Sequence, residues 1–266
     1  MDLGLRDRVC VVTGASRGIG RATALALAAE GAVSVLVGRR EQALVEVAEA
    51  CRMAGGRVET LALDVTDLDT GDRIVRTCLE RLGRIDALVN NAGTTVARSL
   101  EQLTEEDWQI QWDLHVMAPM RLMRAAAPAM AQRGWGRIVN VSSSSGKRPG
   151  QRNIAYSVTK AAELSLSRAF ADLYAGSGVL VNAITPGPVA TELWTGPSGL
   201  AEQIARARGT TREQVLADTG KGVPIGRLGE EREIAQVIAF LCSEAVSYVL
   251  GAAWSVDGGA LCTIRH

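Results

Sequence analysis

Short runs of apolar and β-branched residues alternate along the chain with longer stretches in which apolar residues recur every three or four positions. The short runs predict strands, and the longer stretches predict helices with one buried face. The predicted strands are residues 8–13, 33–37, 57–63, 85–89, 137–142, 179–184 and 253–256. The predicted helices are residues 21–30, 40–53, 67–82, 104–132, 153–174 and 230–242.

This alternation predicts right-handed βαβ units, and therefore an α/β fold with a doubly wound parallel sheet of about seven strands and helices on both faces. No segment between residues 5 and 260 has the composition of a linker, so residues 1–266 are expected to form a single domain. Residues 190–227 are rich in Gly and Pro at their ends and helical in the middle. A connection of this length is expected to act as a lid over a substrate.

Composition excludes several classes of protein. The 266 residues include 29 Lys and Arg and 29 Asp and Glu, so the chain lacks the basic excess of a nucleic-acid binder. No apolar run is long enough to cross a bilayer, and four charges among the first eight residues do not fit a signal peptide. The cysteines, which lack metal-ligand spacing, are Cys10, Cys51, Cys78, Cys242 and Cys262. We expect a cytoplasmic protein without a metal site.

A glycine-rich segment, TGASRGIG at residues 13–20, lies between the first predicted strand and the first predicted helix. Glycines here let the backbone turn sharply and approach a pyrophosphate at the helix N-terminus. The spacing is GxxxGxG and not the usual GxGxxG, and an ordinary tight turn is the alternative. The dinucleotide site predicted here consists of Gly14, Ser16, Arg17, Gly18, Ile19 and Gly20.

The ends of the second and third predicted strands indicate which dinucleotide binds. Enzymes that use NAD place an acid after the second strand, where this chain has Gly38 followed by Arg39 and Arg40. A guanidinium matches the 2′-phosphate of NADP, although two solvated arginines at a helix start are the alternative. Asp64 ends the third strand, where it would meet the adenine ring or cap a turn. We therefore expect NADP, with NAD as the weaker candidate.

Tyr156 and Lys160 are four residues apart in a predicted helix and so share one face. An ammonium held near a tyrosine favours the phenolate and makes the side chain a better acid at neutral pH. This spacing is common by chance, and an exposed Tyr and Lys on one helix face are the alternative. Ser143 follows the preceding strand, at the edge of the sheet where ligands of parallel sheets bind, and could hydrogen-bond a substrate carbonyl.

In their order and spacing these motifs resemble the short-chain dehydrogenase/reductase family over almost the whole chain. The segments that carry the resemblance are TGASRGIG at 13–20, Asp64 with Val65, NNAG at 90–93, Ser143, Tyr156 with Lys160, residues 182–187 and VDGG at 256–259. Within the family the pattern is most similar to that of 3-oxoacyl-carrier-protein reductases.

The resemblance implies a role for each of these residues. Tyr156 would exchange a proton with the substrate oxygen, Ser143 would orient that oxygen, and Lys160 would assist Tyr156. Tyr156 and Lys160 would also contact the cofactor, Lys160 through the nicotinamide ribose. The other implied cofactor contacts are Val65, Asn90, Asn91, Ala92, Gly93, Pro186, Gly187, Val189 and Thr191. Turn chemistry is the alternative for the Asn and Pro-Gly pairs.

His115 departs from the family pattern, because it occupies the position of the usual catalytic Asn, which holds a water in a proton relay. A neutral imidazole has one donor and one acceptor and could hold that water, or the side chain could pack away from the site. We expect an active enzyme in which His115 ionises in the neutral range and affects turnover.

The sequence therefore predicts a Rossmann-type dinucleotide-binding catalytic domain that transfers a hydride between NADP and a carbonyl or alcohol, as in a 3-oxoacyl-carrier-protein reductase. A sugar, polyol or steroid alcohol dehydrogenase is the alternative, and a non-catalytic dinucleotide-binding regulator is an alternative of another class. By resemblance we expect a homotetramer, with interfaces formed by helices 104–132 and 153–174 and the strand near Trp254.

Overall fold

Seven parallel strands form one sheet in the computed structural model, which describes residues 2–95 and 97–261. The strands are β1 Val9–Thr13, β2 Val33–Gly38, β3 Arg57–Ala62, β4 Ala87–Asn90, β5 Gly136–Val141, β6 Val179–Pro186 and β7 Ala253–Val256. Their order is β3-β2-β1-β4-β5-β6-β7, so the direction of winding reverses between β1 and β4. The predicted fold class is confirmed.

Helices cover both faces of this sheet. They are α1 Gly18–Ala29, α2 Glu41–Met53, α3 Thr70–Leu82, α4 Glu105–Trp112, α5 Ala118–Gln132, α6 Ser144–Lys147, α7 Ile154–Tyr174, α8 Glu192–Thr195, α9 Leu200–Arg208, α10 Arg212–Lys221 and α11 Glu231–Leu241. Helices α1, α2 and α11 pack on one face, and α3, α5 and α7 pack on the other. Among the described residues, none of these helices is both long and apolar enough to cross a membrane.

Strand β1 shows why the sheet needs two helical layers. Cys10 and Val12 point into the core beneath α1 and α11, whereas Val9 and Val11 point into the core beneath α3 and α5. All four side chains are buried, because successive residues of a strand face opposite sides of the sheet. A strand that is apolar at every position is typical of a parallel sheet covered on both faces.

The helical stretch predicted over residues 104–132 is present at 105–132, but it is not one regular α-helix. Helices α4 and α5 are separated by a π-helical turn at Asp113–Met117, where the Ala118 N–H bonds the carbonyl of Asp113 five residues earlier. Pro119 follows, and it has no N–H to offer to the carbonyl of His115 four residues before it. The turn carries His115, and such turns are frequent at functional sites.

Residues 190–227 contain the predicted helical middle as three short helices, α8 to α10. They have a small apolar cluster of their own, made of Ala201, Ala205 and Val215 with Trp194 packed against it. This cluster lies apart from the two cores of the sheet, so the segment packs largely on itself.

Two further details differ from the prediction. Helix α1 begins at Gly18, inside the glycine-rich segment, rather than at residue 21. A short helix that the sequence did not indicate, α6, follows β5.

The four described cysteines are buried free thiols, and Cys262 lies outside the described residues.

Candidate active site

A cleft of about 780 Å³ lies at the carboxyl end of the strands. It is lined by the glycine-rich loop, the segments after β2 to β6, helix α7 and the residues around α8. Most of the predicted site residues line it, namely Gly14, Ser16, Arg17, Gly18, Ile19, Arg39, Arg40, Asp64, Val65, Asn91, Ala92, Gly93, Ser143, Tyr156, Lys160, Pro186, Gly187, Val189 and Thr191. The topology therefore brings together residues that are far apart in the sequence.

Three predicted site residues do not line the cleft. A Cβ on Gly20 would lie 2.3 Å from the Gly14 carbonyl oxygen, so Gly20 allows the loop to fold onto the start of α1. The Asn90 side chain donates to Oδ1 of Asn140 at 2.7 Å between β4 and β5 and is buried. His115 is fully buried behind the cleft wall. The expectation that Asn90 lines the cofactor site is wrong, because its amide is engaged inside the sheet.

The glycine-rich loop has a backbone that a dinucleotide can approach. Gly14 and Gly18 have φ of +63° and +59°, which disfavours any side chain at these positions. The Asn91 amide donates to the carbonyls of Thr13 and Gly14 at 2.9 and 3.3 Å, and the Thr13 hydroxyl accepts from the Asn91 and Ala92 N–H groups. The loop is thus held open at the N-terminus of α1, where free N–H groups and the helix dipole suit a pyrophosphate.

Two arginines of the cleft form ion pairs with carboxylates on different parts of the fold. The Arg39 guanidinium lies 3.6 Å from Oδ2 of Asp64, and 79% of the Arg39 side chain is exposed. Arg17 instead pairs with Glu192 of α8 at 2.9 Å. Arg39 therefore offers a loosely held cation at the end of the cleft that follows β2 and β3, whereas Arg17 joins the glycine-rich loop to α8.

Asp64 forms a turn as well as facing the cleft. Its Oδ1 accepts from the N–H and the hydroxyl of Thr66 at 2.9 and 2.7 Å. Partial burial acts to raise the pKa of Asp64, but the Thr66 hydrogen bonds and the neighbouring Arg39 outweigh it and lower the pKa. The side chain is consequently a carboxylate at neutral pH and attracts Arg39 toward the cleft.

Ser143 is placed by the end of β5 and is the N-cap of α6. Its Oγ accepts from the Ser145 N–H at 3.1 Å, and the side chain lines the cleft. A hydroxyl that accepts in this way keeps its own proton for another acceptor. Ser143 can therefore donate a hydrogen bond to an oxygen atom in the cleft.

Helix α7 places a tyrosine, a lysine and a glutamate on one face. The Lys160 ammonium lies 5.8 Å from the centroid of the Tyr156 ring. It donates to the carbonyl of Val141 at 2.9 Å and to Oε2 of Glu163 at 2.8 Å, and both charged side chains are buried. Glu163 was not predicted from the sequence, although its separation of seven residues from Tyr156 places it on the same helix face.

Burial raises the pKa of Glu163 to about 7, although the Lys160 ammonium and the Ser142 hydroxyl both act to lower it. The cost of burying a carboxylate therefore exceeds the attraction of one ammonium. Glu163 is therefore a buried carboxyl group with a raised pKa, immediately beside Lys160.

His115 is braced by two polar partners. The Thr94 N–H donates to Nε2 at 3.3 Å, and Nδ1 lies 3.1 Å from the Thr159 hydroxyl, which itself donates to the carbonyl of Tyr156 at 2.9 Å. These directions place the proton on Nδ1 of a neutral ring. The ring meets Tyr156 edge-on, with centroids 5.2 Å apart.

The expectation that His115 ionises in the neutral range is wrong. Burial lowers the pKa of His115 well below its ordinary value, and the positive charge of Lys160 acts in the same direction. Both ring nitrogens also face protein groups, so the imidazole is not placed to hold a water. Gly93 makes room for the ring, since a Cβ there would lie 3.3 Å from Nε2.

A family model described as enoyl-(acyl carrier protein) reductase matches residues 14–260. The chain belongs to the short-chain dehydrogenase/reductase family. It is 35% identical to a 3-oxoacyl-[acyl-carrier-protein] reductase of Thermotoga maritima over 96% of this chain and 98% of that one. It is 34% identical to the galactitol 2-dehydrogenase of Agrobacterium fabrum, again over 96% and 98%.

Solved structures of this family are also similar to the chain. The L-sorbose reductase of Gluconobacter frateurii, in complex with NADPH and L-sorbose, superposes with a TM-score of 0.93 and is 36% identical, covering 99% of this chain and 100% of that one. As a short-chain dehydrogenase/reductase, the chain is an oxidoreductase that acts on alcohol or carbonyl groups. The predicted family and reaction class are confirmed, and the roles of individual residues stay predictions.

Replacing His115 tests the conclusion that the ring is neutral. His115→Asn should leave the positions of the inflections in the kcat–pH profile unchanged between about pH 6 and pH 8, because no charge is lost there. The variant should lose about 1–3 kcal/mol of unfolding free energy, because a buried partner is left unsatisfied. Denaturant unfolding and kcat measured across the pH range check both outcomes.

Thr159→Val is the matched control for His115→Asn. It removes the hydroxyl that faces Nδ1 and leaves the ring in place, so it should destabilise the fold without moving an inflection. An inflection that disappears with His115→Asn and persists with Thr159→Val would show that the imidazole does ionise.

Proposed function

We propose that this enzyme reduces a ketone with NADPH, or oxidises the corresponding alcohol with NADP. The observation that supports it is the meeting of Ser143, Tyr156 and Lys160 in the same cleft as the glycine-rich loop. A non-catalytic regulator would need only the glycine-rich loop to bind a dinucleotide. This cleft also contains Tyr156 as a proton donor, the Lys160 ammonium beside it, and the Ser143 hydroxyl as a hydrogen-bond donor. The nicotinamide supplies the hydride, and the chain supplies orientation and the proton.

The chemistry of the chain's own residues follows from the geometry. The Ser143 hydroxyl donates to the carbonyl oxygen and orients it. Tyr156 gives its proton to that oxygen as negative charge develops, and the nearby Lys160 ammonium stabilises the phenolate left behind. Since Lys160 has three donors and two are used by Val141 and Glu163, the third is available to the nicotinamide ribose. His115 positions Tyr156 through Thr159.

NADP is proposed because the adenosine end of the cleft lacks the acid that binds an unphosphorylated ribose. Gly38 ends β2, and the exposed Arg39 follows it. A phosphate would offer Arg39 a charge-assisted hydrogen bond in place of its 3.6 Å contact with Asp64. The glycine-rich loop would hold the pyrophosphate, and Val65, Ala92 and Gly93 would contact the rest of the dinucleotide. The NADPH in the sorbose reductase structure agrees with this choice.

The substrate is proposed to be a polar ketone. The 3-oxoacyl-carrier-protein reductases among the relatives support a 3-oxoacyl thioester. A ketose or polyol is favoured by the hydroxyl and amide groups of Ser145 and Asn153 in the cleft and by the sorbose and galactitol enzymes. Apolar side chains of Leu193, Trp194 and Leu200 line the same cleft and suit the carbon skeleton of either class.

We further propose that the chain is one domain in which residues 190–227 form the lid over the substrate. The separate apolar cluster of this segment and the Arg17–Glu192 ion pair across the cleft support that role. The four buried thiols are consistent with the reducing environment of the cytoplasm.

A homotetramer is proposed from resemblance, supported by exposed apolar side chains on α4 and α7 and by the unpaired edge of β7.

Tyr156→Phe tests the reaction. The variant should lose at least about a hundredfold in kcat, because it removes the proton donor, while NADPH affinity is retained. Wild type and variant are assayed with L-sorbose, other ketoses and a 3-oxoacyl thioester, and NADPH binding is measured by fluorescence. Tyr174→Phe is the control, since Tyr174 stacks on Phe170 and does not line the cleft, and it should be fully active. Near-normal turnover in Tyr156→Phe would refute the assignment.

Gly38→Asp combined with Arg39→Ala tests the cofactor. A Cβ at Gly38 meets Leu44 at an ordinary 3.4 Å, so the backbone accepts the new carboxylate. The ratio of kcat/KM for NADPH to that for NADH should fall by at least about tenfold, which corresponds to ~1.4 kcal/mol. Arg52→Ala, elsewhere on α2, should leave the ratio unchanged. A wild-type enzyme that uses NADH as well as NADPH would show that the cofactor assignment is wrong.

Light scattering tests the tetramer. Leu173 is 73% exposed on α7, so Leu173→Glu should break an interface and lower the mass in solution. Leu68 is 75% exposed and lies outside the proposed interfaces, so Leu68→Glu should leave the mass unchanged. A wild-type protein that is monomeric at micromolar concentration would contradict the proposal.

A further inference from the structure

The proposed reaction uses Lys160 and Tyr156 and leaves a third ionisable group of α7 without a role. The Glu163 side chain is 2% exposed, and its Oε2 lies 2.8 Å from the Lys160 ammonium. A buried carboxyl group costs free energy unless its partners compensate for lost water. Glu163 lies beside the Lys160 ammonium, which is itself close to the Tyr156 ring. The charge on Glu163 therefore changes the net charge near Tyr156.

We propose that Glu163 is a positioning residue that fixes the Lys160 ammonium beneath Tyr156 and, by gaining or losing its own proton, sets the net charge that Tyr156 faces. The inference rests on the proposed function, because it takes Tyr156 and Lys160 as the pair that moves the proton.

The first part of the inference follows from the donors of Lys160. The Val141 carbonyl and Glu163 take two of its three N–H groups, from two different elements of the fold. The Ser142 hydroxyl donates to the Lys160 backbone carbonyl at 2.8 Å and ties α7 to the end of β5. A flexible lysine side chain is thereby held at one place, where it lines the cleft.

The second part depends on Glu163 having no other charged neighbour. Among the described residues, Lys160 is the charged group that affects the pKa of Glu163. Strand β6 has no ionisable side chain, and the His115 ring in the π-helical turn is neutral. Of the other charged groups on the packed elements, Lys147 bonds Ala253 and Ser255, Arg137 bonds Ser243, Arg121 bonds Thr66 and Asp107 pairs with Arg98, while Glu105, Glu106 and Arg124 are exposed. Asp113 in the π-helical turn is half-buried and lines the cleft, but it is not among the charges that affect the pKa of Glu163.

The charge beside Tyr156 therefore changes with pH. Below about pH 7 Glu163 is protonated, so Lys160 and Glu163 together carry one positive charge. Above about pH 7 Glu163 is a carboxylate, so the net charge of the two side chains is zero. A net positive charge favours the phenolate, whereas the neutral pair favours the protonated tyrosine. Ionised Glu163 thus helps Tyr156 to keep the proton that reduction requires.

Glu163→Gln tests the inference, because it keeps the shape and removes the titration. In the reduction direction the alkaline fall of kcat should begin about one pH unit lower than in wild type, which is the effect of one neighbouring charge. The inflection near pH 7 should be absent. Glu163→Asp keeps an ionisable group and should retain an inflection even if kcat falls. Ser167→Ala, one turn further along α7 and also buried, should leave the profile unchanged.

Infrared difference spectroscopy supplies a readout that needs no substrate. Wild type should show the C=O stretch of a protonated carboxyl group that disappears as the pH rises through about 7, and Glu163→Gln should lack that band. A wild-type protein without the band, or a Glu163→Gln profile identical to that of wild type, would overturn the inference. If Glu163→Gln does not fold, the band in wild type and its shift in Glu163→Asp decide the question. If no carbonyl compound is reduced, the proposed function fails separately.

Discussion

The common direction of all seven strands is the constraint on which the site depends. Parallel strands bring their carboxyl ends to one edge, and the reversal of winding between β1 and β4 opens a crevice there. The glycine-rich loop, Asp64, Asn91, Ser143 and Gly187 each follow a different strand and meet at this crevice. The positions of these residues are set by the ends of the strands that precede them.

The two ends of the cleft are held by different kinds of interaction. Around the glycine-rich loop and the ends of β2 and β3 the ion pairs of Arg17 and Arg39 are exposed, so salt and ligands can compete for these arginines. At the other end the Lys160 ammonium is buried between a carbonyl and a carboxyl group, and bulk ions screen it little. The end proposed to bind phosphate is therefore adaptable, and the end proposed to transfer the proton is fixed.

The strands were predictable from the sequence, because a short apolar β-branched run such as that of β1, bounded by turn residues, is typical of a buried parallel strand. The meeting of Tyr156 and Lys160 in the cleft was also predictable, since four residues separate them on one helix. The π-helical turn was not, because apolar spacing does not reveal one extra residue in a helical stretch.

Protonation states were the least predictable feature of the site. The sequence places His115 near Lys160 but does not show that the ring is buried with both nitrogens engaged. Glu163 stands in a helix that also carries exposed polar residues, so its charge looks like that of a solvated face. Only packing distinguishes a buried carboxyl group from an exposed one, and packing depends on the neighbouring elements.

The π-helical turn at Asp113–Met117 also fixes the length of this part of the chain. Each helical residue advances the direction of the side chains by ~100°. Deleting one residue from the turn could restore a regular helix, but it would rotate the buried face of α5, with Leu122, Met123 and Met130, away from the sheet. The extra residue in this turn is therefore a spacer that keeps the buried face of α5 against the sheet while α4 packs on α7, and a deletion there would disturb the fold well beyond the active site.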